Sequence, residues 1–121
     1  MGLTYVDLTL THGYEPRAVN VRALVDTGSN NMVINPAVAE ALGFDIEEAS
    51  TINVRLADGR RAKVPIVAPI RLQYREHSCT FQAAVMDCDE CLLGVVALQA
   101  MGLMVNPNSH TLEYDPRTER V

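Results

Sequence analysis

The stretch of this chain best suited to chemistry is Asp26-Thr27-Gly28-Ser29. It follows an apolar run, Ala23-Leu24-Val25, and leads into a second, Met32-Val33-Ile34. An acid set just after a buried strand, then a small hydroxyl residue and a glycine, is a device for presenting a carboxylate. The glycine lets the backbone turn tightly and lets another chain come close. The Thr27 and Ser29 hydroxyls are donors that can hold a carboxylate in place. The same residue types also suit a plain Asx turn. One carboxylate alone does little, whereas two facing each other share a proton and activate water, because like charges so close do not both ionise easily. The chain carries one such motif, so a second carboxylate of this kind has to come from another subunit.

The elements around this motif read as short strands. Val6, Leu8 and Leu10 alternate with Asp7, Thr9 and Thr11, which predicts a strand with one wet face. After a turn at His12–Pro16, the alternation of Val19, Val21, Ala23 and Val25 predicts a strand that delivers Asp26 at its end. A helix follows, with Asn35 as N-cap, Pro36 at its first position and Gly43 as its stop. Ile52, Val54 and Leu56, then Asp58-Gly59, then Ala62, Val64, Ile66, Ala68 and Ile70 predict a hairpin. Pro65 and Pro69 confine the return strand to an edge or a partly unpaired position. Two further strands are expected around a turn near Arg75-Glu76-His77. The first carries Leu72 and Tyr74, and the second carries Cys79, Phe81, Ala83 and Val85. Leu92-Leu93-Gly94 reads as a buried run. A short helix over Val96–Met101 is capped by Gly102, and strands at Leu103–Val105 and Thr111–Tyr114 flank a turn at Asn106–Ser109. The sum is a mostly β, barrel-like single domain over residues 1–121 with two short helices.

Composition narrows the function classes. Of 121 residues, 48% are hydrophobic and 21% charged, which is ordinary for a folded domain and wrong for disorder. A net charge of −5, doubled in a dimer, argues against a nucleic-acid partner, which needs a basic footprint. The densest basic cluster, Arg60-Arg61-Ala62-Lys63, is too small to reverse that. No run approaches the roughly 18–20 apolar residues of a membrane span. The first residues lack a charged and apolar leader, and Val6 breaks the myristoylation pattern. The expected location is therefore cytoplasmic, without membrane contact. Cys79, Cys88 and Cys91 are odd in number, which points to reduced thiols. With His77 they have a spacing that a zinc site could use. A single Cys-x-x-Cys crowded by Asp87, Asp89 and Glu90 is a weak ligand set, and no metal is expected.

The ordered set of segments resembles the retropepsin-like aspartic proteases, the single-lobed relatives of pepsin, and most of all their prokaryotic members. The segments that carry the resemblance are Leu24–Ser29, the Asn35–Gly43 helix, the Asp58-Gly59 hairpin, Leu92-Leu93-Gly94 with its short helix, and Gly102–Pro107. They span about residues 18 to 115. The resemblance implies a small closed β-barrel that dimerises about a twofold axis beside the acidic loop. Asp26 is implied as the catalytic aspartate. Thr27 would lock the two loops across the axis, Gly28 would leave room for substrate backbone, and Ser29 would support the carboxylate. Ala57, Asp58, Gly59, Arg60 and Arg61 correspond to the flap tip that closes over a bound peptide, and Leu92, Leu93 and Gly94 to the strand behind the catalytic loop. No cofactor is implied.

The chain departs from the family's pattern at several points. Ser29-Asn30 and Val95-Val96 stand where many viral members have an acid and a charged or amide pair. Asp58 and Arg60 replace the glycine-rich viral flap tip, and the helix after Gly94 has no Asx or Ser cap. The expected activity is an aspartic endopeptidase, a homodimer acting on peptides. The alternatives are a retropepsin-like dimerisation or peptide-binding module with little or no catalysis, and a small zinc-stabilised domain.

Overall fold

A computed structural model describes residues 3–56 and 58–118 of the chain. Alternation does the first part of the work. In β1 (Tyr5–His12) Val6, Leu8 and Leu10 are buried while Asp7 is exposed. β2 (Ala18–Asp26) runs antiparallel to β1, with Leu8 opposite Val21 and Tyr5 opposite Leu24. Then come β3 (Met32–Ile34), α1 (Pro36–Ala41), β4 (Ser50–Arg55), β5 (Arg61–Tyr74), β6 (His77–Val85) and β7 (Cys91–Gly94). α2 (Val95–Ala100), β8 (Leu103–Asn106), β9 (Thr111–Tyr114) and a 3-10 turn at Pro116–Thr118 complete the order.

The large sheet runs β1-β2-β7-β3-β6-β5-β4. Because β5 also pairs with β1, through Leu10 opposite Leu72, the sheet closes into a six-stranded barrel with β4 outside the ring. The core holds Leu8, Leu10, Met32, Ile34, Leu42, Ile70, Leu72 and Leu93, all essentially inaccessible to water. β8 and β9 form a separate antiparallel hairpin.

Local chemistry agrees with the expected boundaries of α1. Asn35 Oδ1 accepts from the Val38 N–H at 2.9 Å, Pro36 occupies the first turn, and Gly43 sits at φ +89° just past the end. α2 starts at Gly94 without a side-chain cap, as the residue types there predict.

The β5 region differs from expectation. Ala62–Ile70 and Leu72–Tyr74 belong to one strand of 14 residues rather than two. The strand is not an edge along its length, for it pairs β4 through Arg61–Ile66, β6 through Ile66–Tyr74, and β1 through Ile70–Gln73. It tolerates its prolines by changing partners. Pro65 lies where β4 is its neighbour, and Pro69 falls within the register shift between Val67 and Ile70. No helix among the described residues is long and apolar enough to cross a membrane.

Candidate active site

Asp26 is the last residue of β2, and its position is set by β7. That short strand lies between β2, to which it is parallel, and β3, to which it is antiparallel. A strand with neighbours on both sides has no wet edge, which explains its uninterrupted run Cys91-Leu92-Leu93. The register puts Asp26 beside Gly94 and Val25 beside Leu93.

From Asp26 the chain reverses at once. The Ser29 N–H donates to the Asp26 carbonyl at 3.1 Å, and the Gly28 N–H donates to Asp26 Oδ1 at 3.0 Å. The carboxylate is thereby oriented by its own turn. Asp26 is half-buried, while Thr27 and Gly28 at the tip are exposed. Ser29 Oγ is engaged elsewhere than expected: it donates to the Asn31 carbonyl and accepts from the Asn31 N–H, both at 3.3 Å.

The loop then lies flat on the start of α2. The Val95 N–H donates to the Ser29 carbonyl at 2.8 Å. A Cβ on Gly94 would fall 2.6 Å from the Asn31 carbonyl oxygen and 2.7 Å from that of Ser29, so only glycine fits beneath the loop. Gly28 is a contrast. A Cβ there would meet only Asp26 Oδ1, at an ordinary 3.4 Å. Of the two glycines, the chain's own packing requires Gly94 and leaves Gly28 free to change.

Thr27 borders a groove of about 430 Å³ with Val95, Leu98, Leu103, Met104 and Val105 on its apolar side. Asp115 and Arg117 also line it. Arg117 Nη2 and Nε donate to the two Asp115 carboxylate oxygens at 2.9 Å, and hydrogen bonding to this guanidinium holds the carboxyl below its ordinary pKa. The Asp115 N–H ties the segment back to Gly102 O at 2.8 Å. Sequence reasoning passed over this pair, whose only signal is an Asp-x-Arg spacing after the last strand. A larger concavity of about 500 Å³, lined by Tyr5, Arg22, Asn35 and Glu90, includes no residue of the Asp26 loop.

The β4–β5 hairpin carries the residues expected at the flap. Leu56 N–H reaches Arg60 O at 2.7 Å, and Gly59 takes φ +88° with open space around it. Asp58 accepts from the Arg60 N–H at 2.9 Å and from Arg60 Nε at 2.6 Å. Those two bonds, the backbone one first, hold its carboxyl below the usual range. Arg61 is the first residue of β5, and Ala57 lies outside the described residues.

The cysteines and His77 are not brought together as ligands, and no group of His, Cys, Asp or Glu among the described residues could hold a metal. Cys79 Sγ lies 3.9 Å from the Ala97 carbonyl, and Cys91 is buried at the start of β7. Burial raises all three thiol pKa values, that of Cys91 to about 11. Protonated thiols are poor ligands and poor nucleophiles at neutral pH.

A closed β-barrel with a parallel strand threaded behind an Asp-Thr-Gly turn defines the class. Residues 17–100 match the family model described as "gag-polyprotein putative aspartyl protease". The chain belongs to this family of retropepsin-like aspartic proteases. Among solved structures it is similar to the crystal structure of a retropepsin-like aspartic protease from Rickettsia conorii. That likeness has a TM-score of 0.67 at 20% identity and covers 87% of this chain and 77% of the other, so it bears on the fold. A comparison with curated proteins found no match.

Proposed function

We propose that the protein is a homodimeric aspartic endopeptidase in which Asp26 of two copies meet across a twofold axis. The observation that carries this reading is the Asp26 turn itself. Its carboxylate is oriented by the Gly28 N–H, and its loop is held from behind by Gly94 and Val95. Its tip, Thr27-Gly28, is presented outward. A site of this kind is half complete in one chain.

In a symmetric dimer each patch meets its own copy, so one aspartate becomes two. As is established for aspartic-protease dyads in general, the paired carboxylates share one proton. The ionised member takes a proton from a water lying between them, and the protonated member hydrogen-bonds the peptide carbonyl and polarises it. Substrate binds extended between the Asp26 loops and the β4–β5 hairpins, through backbone hydrogen bonds with alternate side chains in pockets. Thr27 lies where the two loops touch, and Gly28 gives the peptide backbone room.

The test is cleavage of a random peptide library between about pH 3 and 7, where carboxylates titrate, by wild type and by Asp26→Asn. The expected outcome is cleavage by wild type and a loss of at least about 1,000-fold in the variant, with dimer and fold intact. Cleavage that persists in a folded, dimeric Asp26→Asn protein removes the assignment.

A further inference from the structure

The β4–β5 hairpin has two unlike faces. Ile52, Val54, Leu56, Ala62 and Val64 are buried or half-buried on one. On the other, Arg55 stands directly opposite Arg61, and Lys63 stands opposite Asn53 one step along the same face. All four of these residues are exposed. Together with Arg60, this short segment holds four of the ten Lys and Arg residues of a chain whose net charge is −5.

The nearest acid at the tip, Asp58, is already paired with Arg60 at 2.6 Å. The other ion pairs among the described residues join Arg17 to Glu15, His77 to Glu76 and Arg117 to Asp115, leaving Arg55, Arg61 and Lys63 without one. Like charges directly opposite across a ladder are destabilising. β4 is an edge strand, and charge on an edge blocks unwanted strand addition. Mixed signs would block it equally and would attract across the ladder. Edge protection therefore accounts for charge at these positions but not for its single sign.

We propose that this outer face of the hairpin is a docking surface for an acidic stretch of the protein being cut, lying outside the residues held between the Asp26 loops and the hairpins. The inference rests on the protease reading above. A chain bound against the apolar face leaves the hairpin at its edges. At about 3.3 Å per extended residue, four or five flanking residues reach around a layer roughly 10 Å thick. The rest of the molecule selects among anionic partners. A nucleic acid or an anionic bilayer presents a broad field to a chain that is negative elsewhere, whereas a short acidic peptide meets only the local patch. In a dimer the patch occurs twice, once on each hairpin.

The experiment uses two fluorogenic peptides with one cleavable core, flanked by four glutamates or four glutamines, at about pH 6 where glutamate is ionised. Wild type is expected to show a KM about tenfold lower for the glutamate peptide at low salt, with kcat unchanged and the difference fading as salt is raised toward about 0.5 M. Arg55→Gln/Lys63→Gln is expected to erase the difference while leaving cleavage of the glutamine peptide as it was. Equal KM values in wild type, or a preference that survives in the double variant, overturn the proposal and leave the protease reading standing. If neither peptide is cut, the protease reading fails separately. Fluorescence anisotropy of the two labelled peptides on the same protein then decides the docking question, equal affinity overturning it. Tighter binding to polyuridylate RNA or to phosphatidylserine vesicles than to the glutamate peptide also overturns it.

Discussion

At the scale of single residues, two glycines beside one carboxylate have opposite reasons to exist. Gly94 lies under the backbone of Ser29–Asn31, with contacts below 3.0 Å awaiting any Cβ. Those contacts are to carbonyl oxygens of a tethered loop, which has no flexible side-chain end to yield. Gly94→Ala is therefore expected to cost about 2 kcal/mol or more in urea unfolding. Gly28→Ala, which meets only an ordinary contact, is expected to change stability by no more than about 0.5 kcal/mol. Under the proposed function it lowers peptide cleavage by at least about tenfold, because the added methyl enters the space of the substrate backbone. Asp26 and its flanking glycine were legible in the sequence because residue type and order carry the signal. The atoms that fix the loop were not, since they are the backbone groups of Gly28, Ser29, Asn31 and Val95 and leave no compositional trace. Cys91 gives a separate prediction. Burial raises its thiol pKa in the folded protein above the ordinary 9.0, to about 11. Its contribution to stability is then complete below pH 9.0 and is lost as pH climbs toward about 11. Thermal unfolding followed from pH 8 upward is expected to show this decline, and Cys91→Ala is expected to flatten it.

At the scale of elements, the strand threaded between β2 and β3 is what turns a run of short strands into a site. The alternating pattern of β1, the Asn35 cap and the Gly43 stop could be read directly, because each is decided within a few residues. The place of β7 behind the loop came only through the family resemblance and not through its own pattern, because the pairing is settled by residues some seventy positions apart in sequence, Ala23 with Cys91 among them. β5 misleads for the same reason. Its two prolines are local stop signals, and only the change of neighbours along the strand makes them harmless. The hairpin tip lies at the opposite extreme, being held by contacts two residues apart. The Arg60 N–H and guanidinium lower the Asp58 pKa, so their contribution is present above the ordinary carboxylate range and is lost as pH falls through the lowered value. The tip is expected to stay ordered in mild acid. Amide exchange at Gly59–Arg61 near pH 5 should accelerate about threefold to tenfold in Asp58→Ala, with the barrel amides unmoved.

At the scale of the whole molecule, the proposed chemistry demands a second copy, and the surface around Asp26 offers a place for one. Thr27 and Gly28 are exposed at the loop tip, Val96 on α2, next in sequence to the groove-lining Val95, is 40% exposed, and Tyr114 on β9, next in sequence to Asp115, is 49% exposed. A stable interface of ordinary size buries about 1,600 Å² in total. Across a twofold axis every substitution counts twice. If α2 faces the second copy in the proposed dimer, Val96→Asp places two uncompensated charges there and is expected to weaken dimerisation by at least about 100-fold. Sedimentation should show a monomer whose circular dichroism matches wild type and which cuts no peptide. Salt gives a second check with a definite sign. Two chains of net charge −5 repel, so raising ionic strength screens that repulsion and is expected to tighten the dimer. The same salt weakens attraction between the cationic hairpin face and an acidic substrate. Specific activity on a neutral peptide, measured near the dimer dissociation constant, should therefore rise with salt while the preference for acidic flanks falls. A wild-type activity strictly proportional to concentration down to the monomeric range, with no salt-dependent rise, would remove the shared carboxylate pair from the mechanism.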